Sequence, residues 1–274
     1  MIDIHAHILP KLDDGAKTLE ESIQMCRISY QDGIRTIVAT PHILMGIYGN
    51  DRSSILNGLQ ELKAAIAECG LQNAGCGIKN LDTKMSSQLG SESRIPNSEF
   101  QILAGADVHF SSDILQRCER EEIVTVNDQG RYLMVEFTFQ GIPYQAEEVL
   151  FQLLAKGIIP IISHPERNRE IAQSPNRYYG MIRMGCLGQV TAMSLTGGFG
   201  PEAKRTAEKL LSKRLIHIIA SDAHSTDRRP PILSAGVKAA EKIVGKEAAR
   251  KMVTEYPEAV INGKKPDIPE PMPI

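Results

Sequence analysis

Residues that bind metal ions or phosphate recur at the ends of apolar, β-rich runs. They stand in His5-x-His7, Thr40-Pro41-His42, Asp107, His164-Pro165-Glu166-Arg167 and Asp222-Ala223-His224, and Glu136 lies inside such a run. Imidazoles and carboxylates together suit borderline divalent ions such as Zn²⁺, Mn²⁺ or Fe²⁺. Side chains alternate along an extended chain, so His5 and His7 project to the same side. A buried Glu136 is costly unless it is paired or metal-bound. Carboxylates can bridge two ions, and two neighbouring ions can clamp a phosphoester and activate water between them. Guanidinium forks match phosphate geometry, which singles out Arg167 and Arg228-Arg229. The plainer reading of each arginine is a surface salt bridge.

Five of the seven histidines belong to this set. His109 and His217 are expected to be structural or solvated, with His217 ahead of its apolar run and therefore at the far end of its strand. Competing chemistries fail on spacing. No cysteine is followed six positions later by arginine, and neither a P-loop nor a G-x-S-x-G elbow occurs. Gly197-Gly198-Phe199-Gly200 is a glycine-rich turn without the dinucleotide fingerprint.

Such scattered residues need a scaffold that gathers them. Strands are expected at Ile2–Ile4, Ile34–Ala39, Ile102–Val108, Tyr132–Phe137, Ile158–Ser163, Leu187–Ala192 and Ile216–Ala220. Helical patterns lie between them. Thr18-x-x-Glu21 reads as a capping box, with Leu19, Ile23, Cys26 and Tyr30 on one face and Gly33 as the stop. Ile55, Leu59, Leu62 and Ile66 form a second stripe. Further helices are expected at Asp113–Cys118, Gln145–Leu154, Arg177–Met184, Pro201–Lys213, Leu233–Val244 and Glu247–Glu255. Apolar strands separated by helices imply a parallel sheet buried on both faces. Closed on itself, the sheet is a TIM-like barrel of seven strands, with all carboxyl ends on one face. A doubly wound open sheet is the alternative. One domain is expected over residues 1–262, with Gly70–Ser98 as a surface insertion and 263–274 as a loose tail.

Composition narrows the function. The 274 residues carry a net charge of -2, no Trp and 5% aromatics, so neither bulk attraction to nucleic acid nor base-stacking platforms are expected. Met1 leads directly into Ile2-Asp3-Ile4-His5 without the pattern of a signal peptide, and no apolar run suffices to span a bilayer. Five scattered cysteines without CxxC spacing point to a reducing cytoplasm.

The stretches MIDIHAHILPKLDDGAKTLEES, IRTIVATPHI, YLMVEF, PIISHPERN and HIIASDAHSTDRRPP resemble, in order, the PHP (polymerase and histidinol phosphatase) superfamily. Within it they most resemble bacterial manganese-dependent tyrosine-protein phosphatases of the CpsB/CapC type. The resemblance implies a distorted (β/α)7 barrel holding up to three Mn²⁺ ions, or Fe²⁺, Zn²⁺ or Mg²⁺. By similarity His5, His7, Asp107 and Asp222 hold one ion. Asp107, Glu136 and His164 hold a second, with Asp107 bridging. Asp14, His42 and His224 hold a third, although Asp13-Asp14-Gly15 alone reads as a turn. Arg167 and Arg229 resemble the family's phosphate-binding arginines. The implied substrate is the phosphotyrosine tail of a bacterial tyrosine autokinase governing capsule or exopolysaccharide export, hydrolysed directly. The family usually has Glu where this chain has Asp107, and its connection corresponding to Gly70–Ser98 is shorter. Rival readings are another PHP phosphoesterase, such as a histidinol-phosphate phosphatase, a metal-poor kinase-binding regulator, and an amidohydrolase.

Overall fold

The structure, a computed structural model, describes residues 1–71 and 100–274. The expected insertion Gly70–Ser98 lies, from residue 72 onward, outside the described residues.

The chain opens with β1 (Ile2–Ala6). Thr18 then starts α1 (Leu19–Gln31) by accepting from the Glu21 amide, while the Glu21 carboxylate accepts from the Lys17 amide. The fully buried residues of α1 are Ser22, Met25, Cys26 and Ser29, so its inner face is rotated from the expected stripe. The next strand comes in two pieces, β2 (Thr36–Ala39) and β3 (His42–Ile43), followed by α2 (Arg52–Leu71). Another split strand follows, β4 (Gln101–Ala104) and β5 (Asp107–His109), then α3 (Ile114–Glu119) and β6 (Tyr132–Glu136). α4 (Ala146–Ala155) leads to β7 (Ile159–Ser163), α5 (Arg169–Gln173), α6 (Asn176–Met184) and β8 (Leu187–Thr191). α7 (Ala192–Thr196) and α8 (Gly200–Ser212) precede β9 (Ile218–Ala220), and α9 (Ser234–Val244), α10 (Lys246–Lys251) and α11 (Glu255–Ile261) complete the order.

Every strand pairing is parallel. The orders are β1-β2-β4 and β3-β5-β6-β7-β8-β9. The two breaks that split expected strands have local causes. Pro41 brings no N–H to a ladder. A Cβ on Gly105 would lie 2.6 Å from Val38 Cγ1, so only glycine allows the crossing there. Beyond the breaks, β3 and β5 pair in a second sheet, with His42 opposite Asp107.

β9 meets β1 through an isolated parallel bridge, Ala6 to Ala223, and through hydrogen bonds from Asp222 N to His5 O and from His7 N to Ala223 O, both 2.8 Å. Lower down, the Met252 and Val253 carbonyls accept from Ile219 and Ile2. Those carbonyls are thereby turned away from a helix, so the expected helix over Glu247–Glu255 divides into α10 and α11. Side chains from the strands, such as Ile4, Val38, Val135, Ile161, Val190 and Ile219, are fully buried in one core.

The tail expected to be loose has no helix or strand from residue 264 onward but is tied down. Tyr132 Oη donates to Lys264 O at 2.7 Å, Met272 N to Lys213 O at 2.9 Å, and Lys213 Nζ to Pro273 O at 2.7 Å. Among the described residues no helix is long and apolar enough to cross a membrane.

Candidate metal centre

Parallel strands put every carboxyl end on one side, and the sequence-selected residues arrive there from different strands. His5 and His7 leave β1, His42 opens β3, Asp107 opens β5 and Glu136 closes β6. His164 directly follows β7, while Asp222 and His224 follow β9. The Nε2 atoms of His5 and His7 stand 3.1 Å apart, and each is 3.4 Å from Asp222 Oδ1. Asp107 Oδ2 lies 3.5 Å from His42 Nδ1, 3.6 Å from His5 Nε2 and 3.9 Å from His164 Nε2. The shorter side chain at 107 thus still reaches three imidazoles. Glu136 is 3.5 Å from His42 and 3.3 Å from His164. Asp14, with a half-exposed side chain, is 3.7 Å from His42 and 3.6 Å from His224.

The hydrogen bonds fix the ring tautomers. His5 Nδ1–H donates to Gln189 Oε1 at 3.0 Å, and His7 Nδ1–H to Asp13 Oδ2 at 2.6 Å. Both Nε2 atoms therefore face each other across a position that suits a cation, either a proton shared between the rings or a metal ion. Charges agree. Burial pulls His7 down, but Asp13 and Asp222 outweigh it and push its pKa up to about 10. A field that favours a proton there favours other cations too. Burial lowers His5 to about 4 against the opposing pull of Asp107 and Asp222, which leaves its lone pair free for a metal. Burial raises the Asp222 carboxyl, yet Arg167, His5, His7 and Arg229 hold it well below the carboxylate range. Glu136 is likewise held low against burial by the nearby imidazoles of His109, His164 and His42.

A donor set of imidazoles and carboxylates fits Mn²⁺, Fe²⁺ or Zn²⁺. Two buried atoms aimed into the cluster, Asp107 Oδ2 and His42 Nδ1, make no hydrogen bond, as metal-directed ligands would. Among the described residues, three groups have potential ligand atoms mutually within 4.8 Å: His7, Asp14, His42 and His224; His5, His7 and Asp222; and His42, Asp107 and Glu136. Asp107 thus groups with His42 and Glu136 apart from the His5-His7 pair, and His164 stands at the edge of the clusters.

Asp14, His42, Glu136, His164, Asp222 and His224 line a cavity of about 490 Å³ that also exposes Tyr48, Phe137, Phe139, Arg167 and Arg229, while His5, His7 and Asp107 are fully buried. Arg167 and Arg229 both donate through Nη2 to Asp222 Oδ2, the latter at 2.6 Å. His164 and Asp222 have φ of 34° and 52°, left-handed values that non-glycine residues rarely adopt. Such strain gathers at functional sites, where the surrounding structure imposes it.

A family model described as capsular polysaccharide synthesis, CpsB/CapC, matches residues 1–79 and 77–262. The chain belongs to the CpsB/CapC family. Tyrosine-protein phosphatase YwqE of Bacillus subtilis (strain 168) is 33% identical over 274 residues, covering 100% of this chain and 96% of YwqE. Tyrosine-protein phosphatase CpsB of Streptococcus pneumoniae is 29% identical over 266 residues, covering 95% and 98%. A chain from the crystal structures of YwqE and CpsB, described as metal-dependent tyrosine phosphatases, matches with a TM-score of 0.86 and 32% identity, covering 100% of this chain and 99% of that one. The lactonase Lmo2620 of Listeria monocytogenes, 14% identical with a TM-score of 0.50, shows a shared fold only.

In this CpsB/CapC member, residues outside the sequence-selected set also contact the cluster. Asp13 looked like part of a turn, yet it accepts from His7 Nδ1 and, at 2.9 Å, from the His42 amide. Gly15 permits that loop to close, because a Cβ there would lie 2.2 Å from His7 O. His109, expected to be structural or solvated, lines the cavity with Nδ1 at 3.5 Å from Glu136 Oε2. Its signal was the Asp107-x-His109 spacing, which places both side chains on one side of β5. Gln189 on β8 and Ser163 on β7 reach His5 and Asp107 on non-adjacent strands, Ser163 Oγ donating to Asp107 Oδ1 at 2.7 Å. His217 does lie away from this face, buried beside Gly188.

Proposed function

We propose that the chain is a metal-dependent protein-tyrosine phosphatase built on a (β/α)7 barrel. Its ligands are His5, His7, Asp14, His42, Asp107, Glu136, His164, Asp222 and His224, and it holds up to three divalent ions. Mn²⁺ is the first choice by family resemblance, with Fe²⁺, Zn²⁺ and Mg²⁺ as competitors. The observation that carries the reading is the pair of facing Nε2 atoms of His5 and His7, 3.1 Å apart and buried beside Asp222, which itself lines a cavity that presents two arginines. The substrate is phosphotyrosine on the tail of a bacterial tyrosine kinase that controls capsule or exopolysaccharide synthesis, and the chain acts in the cytoplasm.

Bound divalent ions supply Lewis-acid charge and lower the pKa of water, so that a nucleophile exists at neutral pH. The chain's own residues do the rest. Arg167 and Arg229 bind the phosphoryl oxygens, where charge must be neutralised during phosphoryl transfer. Tyr48, Phe137 and Phe139 offer apolar surface to the phenyl ring of the substrate. Asp13 and Gln189 hold His7 and His5 in the tautomers that present Nε2.

The test is phosphate release from a phosphotyrosine peptide, alongside metal analysis. Activity is expected with Mn²⁺, and Glu136→Ala or His164→Ala should abolish it. Full activity after removal of all metal would overturn the metal dependence. Faster release from histidinol phosphate than from the peptide would overturn the substrate.

A further inference from the structure

The turn Gly197-Gly198-Phe199-Gly200 has no part in the ligand set, yet its ring lies against both arginines. Arg167 Cζ is over the Phe199 ring at 4.7 Å from the centroid, and Arg229 Cζ is over it at 5.4 Å. Phe139 offers Arg167 a second ring at 5.6 Å. Phe199 does not line the 490 Å³ cavity; it lines a neighbouring one together with Phe139, Arg167 and Arg229. We propose that Phe199 is a positioning residue that holds Arg167 and Arg229 for phosphate through its ring face. The proposal rests on the phosphatase reading above.

The two guanidinium groups pose a problem that an aromatic ring answers. Both donate to one oxygen of Asp222, so two like charges converge on a single carboxylate. The Nε atom of each is buried and makes no hydrogen bond. Water is thereby excluded from one edge of each cation, and few polar partners replace it. The negative face of a phenyl ring attracts a guanidinium within about 6 Å, and does so more strongly as water is excluded.

The backbone around Phe199 is shaped for this placement. Gly197 and Gly200 have φ of 92° and 88°, in the left-handed region. A Cβ on Gly198 would lie 2.7 Å from the Met193 side chain. Gly197 N and Gly198 N close the end of α7 by donating to Ser194 O and Met193 O. The start of α7 is fastened to the turn that carries Arg167, because Glu166 Oε1 accepts from Thr191 N at 3.1 Å and from Ser194 Oγ at 2.6 Å. One five-residue helix therefore links Arg167 at its start to Phe199 at its end.

The test compares Phe199→Leu, which keeps apolar bulk, with Phe199→Tyr, which keeps the ring, in the Mn²⁺-loaded full chain. Calorimetric titration with inorganic phosphate reads the arginines without turnover, while the KM and kcat for a phosphotyrosine peptide read catalysis. Phe199→Leu should weaken phosphate binding and raise KM by about three- to tenfold, the range of a cation–π contact. Phe199→Tyr should restore both, and metal content should stay at the wild-type value in each variant. In an Arg167→Gln, Arg229→Gln background, Phe199→Leu should change phosphate affinity less than twofold. Wild-type phosphate affinity in Phe199→Leu, or an equal loss in Phe199→Tyr, would overturn the proposal. If the wild type binds phosphate but leaves the peptide intact, the phosphatase reading fails while the role of Phe199 is still decided by the titration.

Discussion

The two ends of the parallel strands treat the same side chain in opposite ways. At the carboxyl end His5, His7, His42, His164 and His224 crowd among carboxylates, and the His5 and His7 rings are pinned with Nε2 atoms facing. At the amino end His217 is buried beside β8, where its Nδ1 accepts from the Gly188 amide at 3.0 Å. Burial drives both His5 and His217 down to about 4, but for His217 it acts alone, whereas His5 also feels Asp107 and Asp222. A lone buried imidazole is content as a neutral acceptor. A group of them, with His5, His7 and His224 each oriented by a partner at Nδ1, has no such resting arrangement without a cation. Position along the strand, rather than residue type or burial, separates His217 from the histidines of the cluster.

The largest break in this comparison should come from chelation. Stripping divalent ions should reduce phosphotyrosine hydrolysis by at least about a thousandfold, in line with loss of Lewis-acid charge and an activated nucleophile. Mn²⁺ should restore it, as followed by phosphate release and metal analysis. His217→Leu should respond to chelation and reloading as the wild type does.

Asp13→Ala should follow, with a loss of about 10- to 100-fold in Mn²⁺ affinity or activity, the usual cost of removing the partner that orients a ligating imidazole. Titration calorimetry with Mn²⁺ checks it, and wild-type affinity would mean that Asp13 does not orient His7.

At the other end, His217→Leu should leave kcat unchanged but cost about 1–3 kcal/mol of stability at neutral pH, because the buried Gly188 amide loses its acceptor. The difference should shrink in acid. The folded His217 pKa is depressed, so its contribution is complete above about 6.5 and is lost as pH falls towards 4. Urea titrations of both proteins between those pH values should converge; parallel curves would argue against a neutral buried imidazole.

The smallest effect is expected from deleting residues 264–274. This removes the anchors at Tyr132 and Lys213 and should cost about 1–2 kcal/mol without altering kcat. Thermal denaturation and a phosphate-release assay together test that separation.

Much of this arrangement was legible in the sequence. His5-x-His7 declared its geometry through the two-residue period of a strand, and Glu136 declared itself by standing in an apolar run. The parallel α/β character followed from apolar strands alternating with amphipathic helices. The strand breaks at Pro41 and Gly105 were less visible, because each depends on which strand lies alongside. Asp13 was hidden for a related reason: Asp-Asp-Gly has the composition of an exposed turn. Only the close approach of Gly15 to His7 folds its carboxylate against the His7 imidazole and the His42 backbone amide. The tail was misjudged because proline-rich composition speaks to regular structure and says nothing of carbonyls that other segments can reach.

Asp222 divides its carboxylate between two tasks, with Oδ1 towards His5 and His7 and Oδ2 towards Arg167 and Arg229. On the proposed function, an amide at this position should disturb ion loading and anion capture in a single stroke. In a scan of single substitutions Asp222 will register as intolerant to all replacements, and its intolerance will overstate whichever role the assay happens to measure.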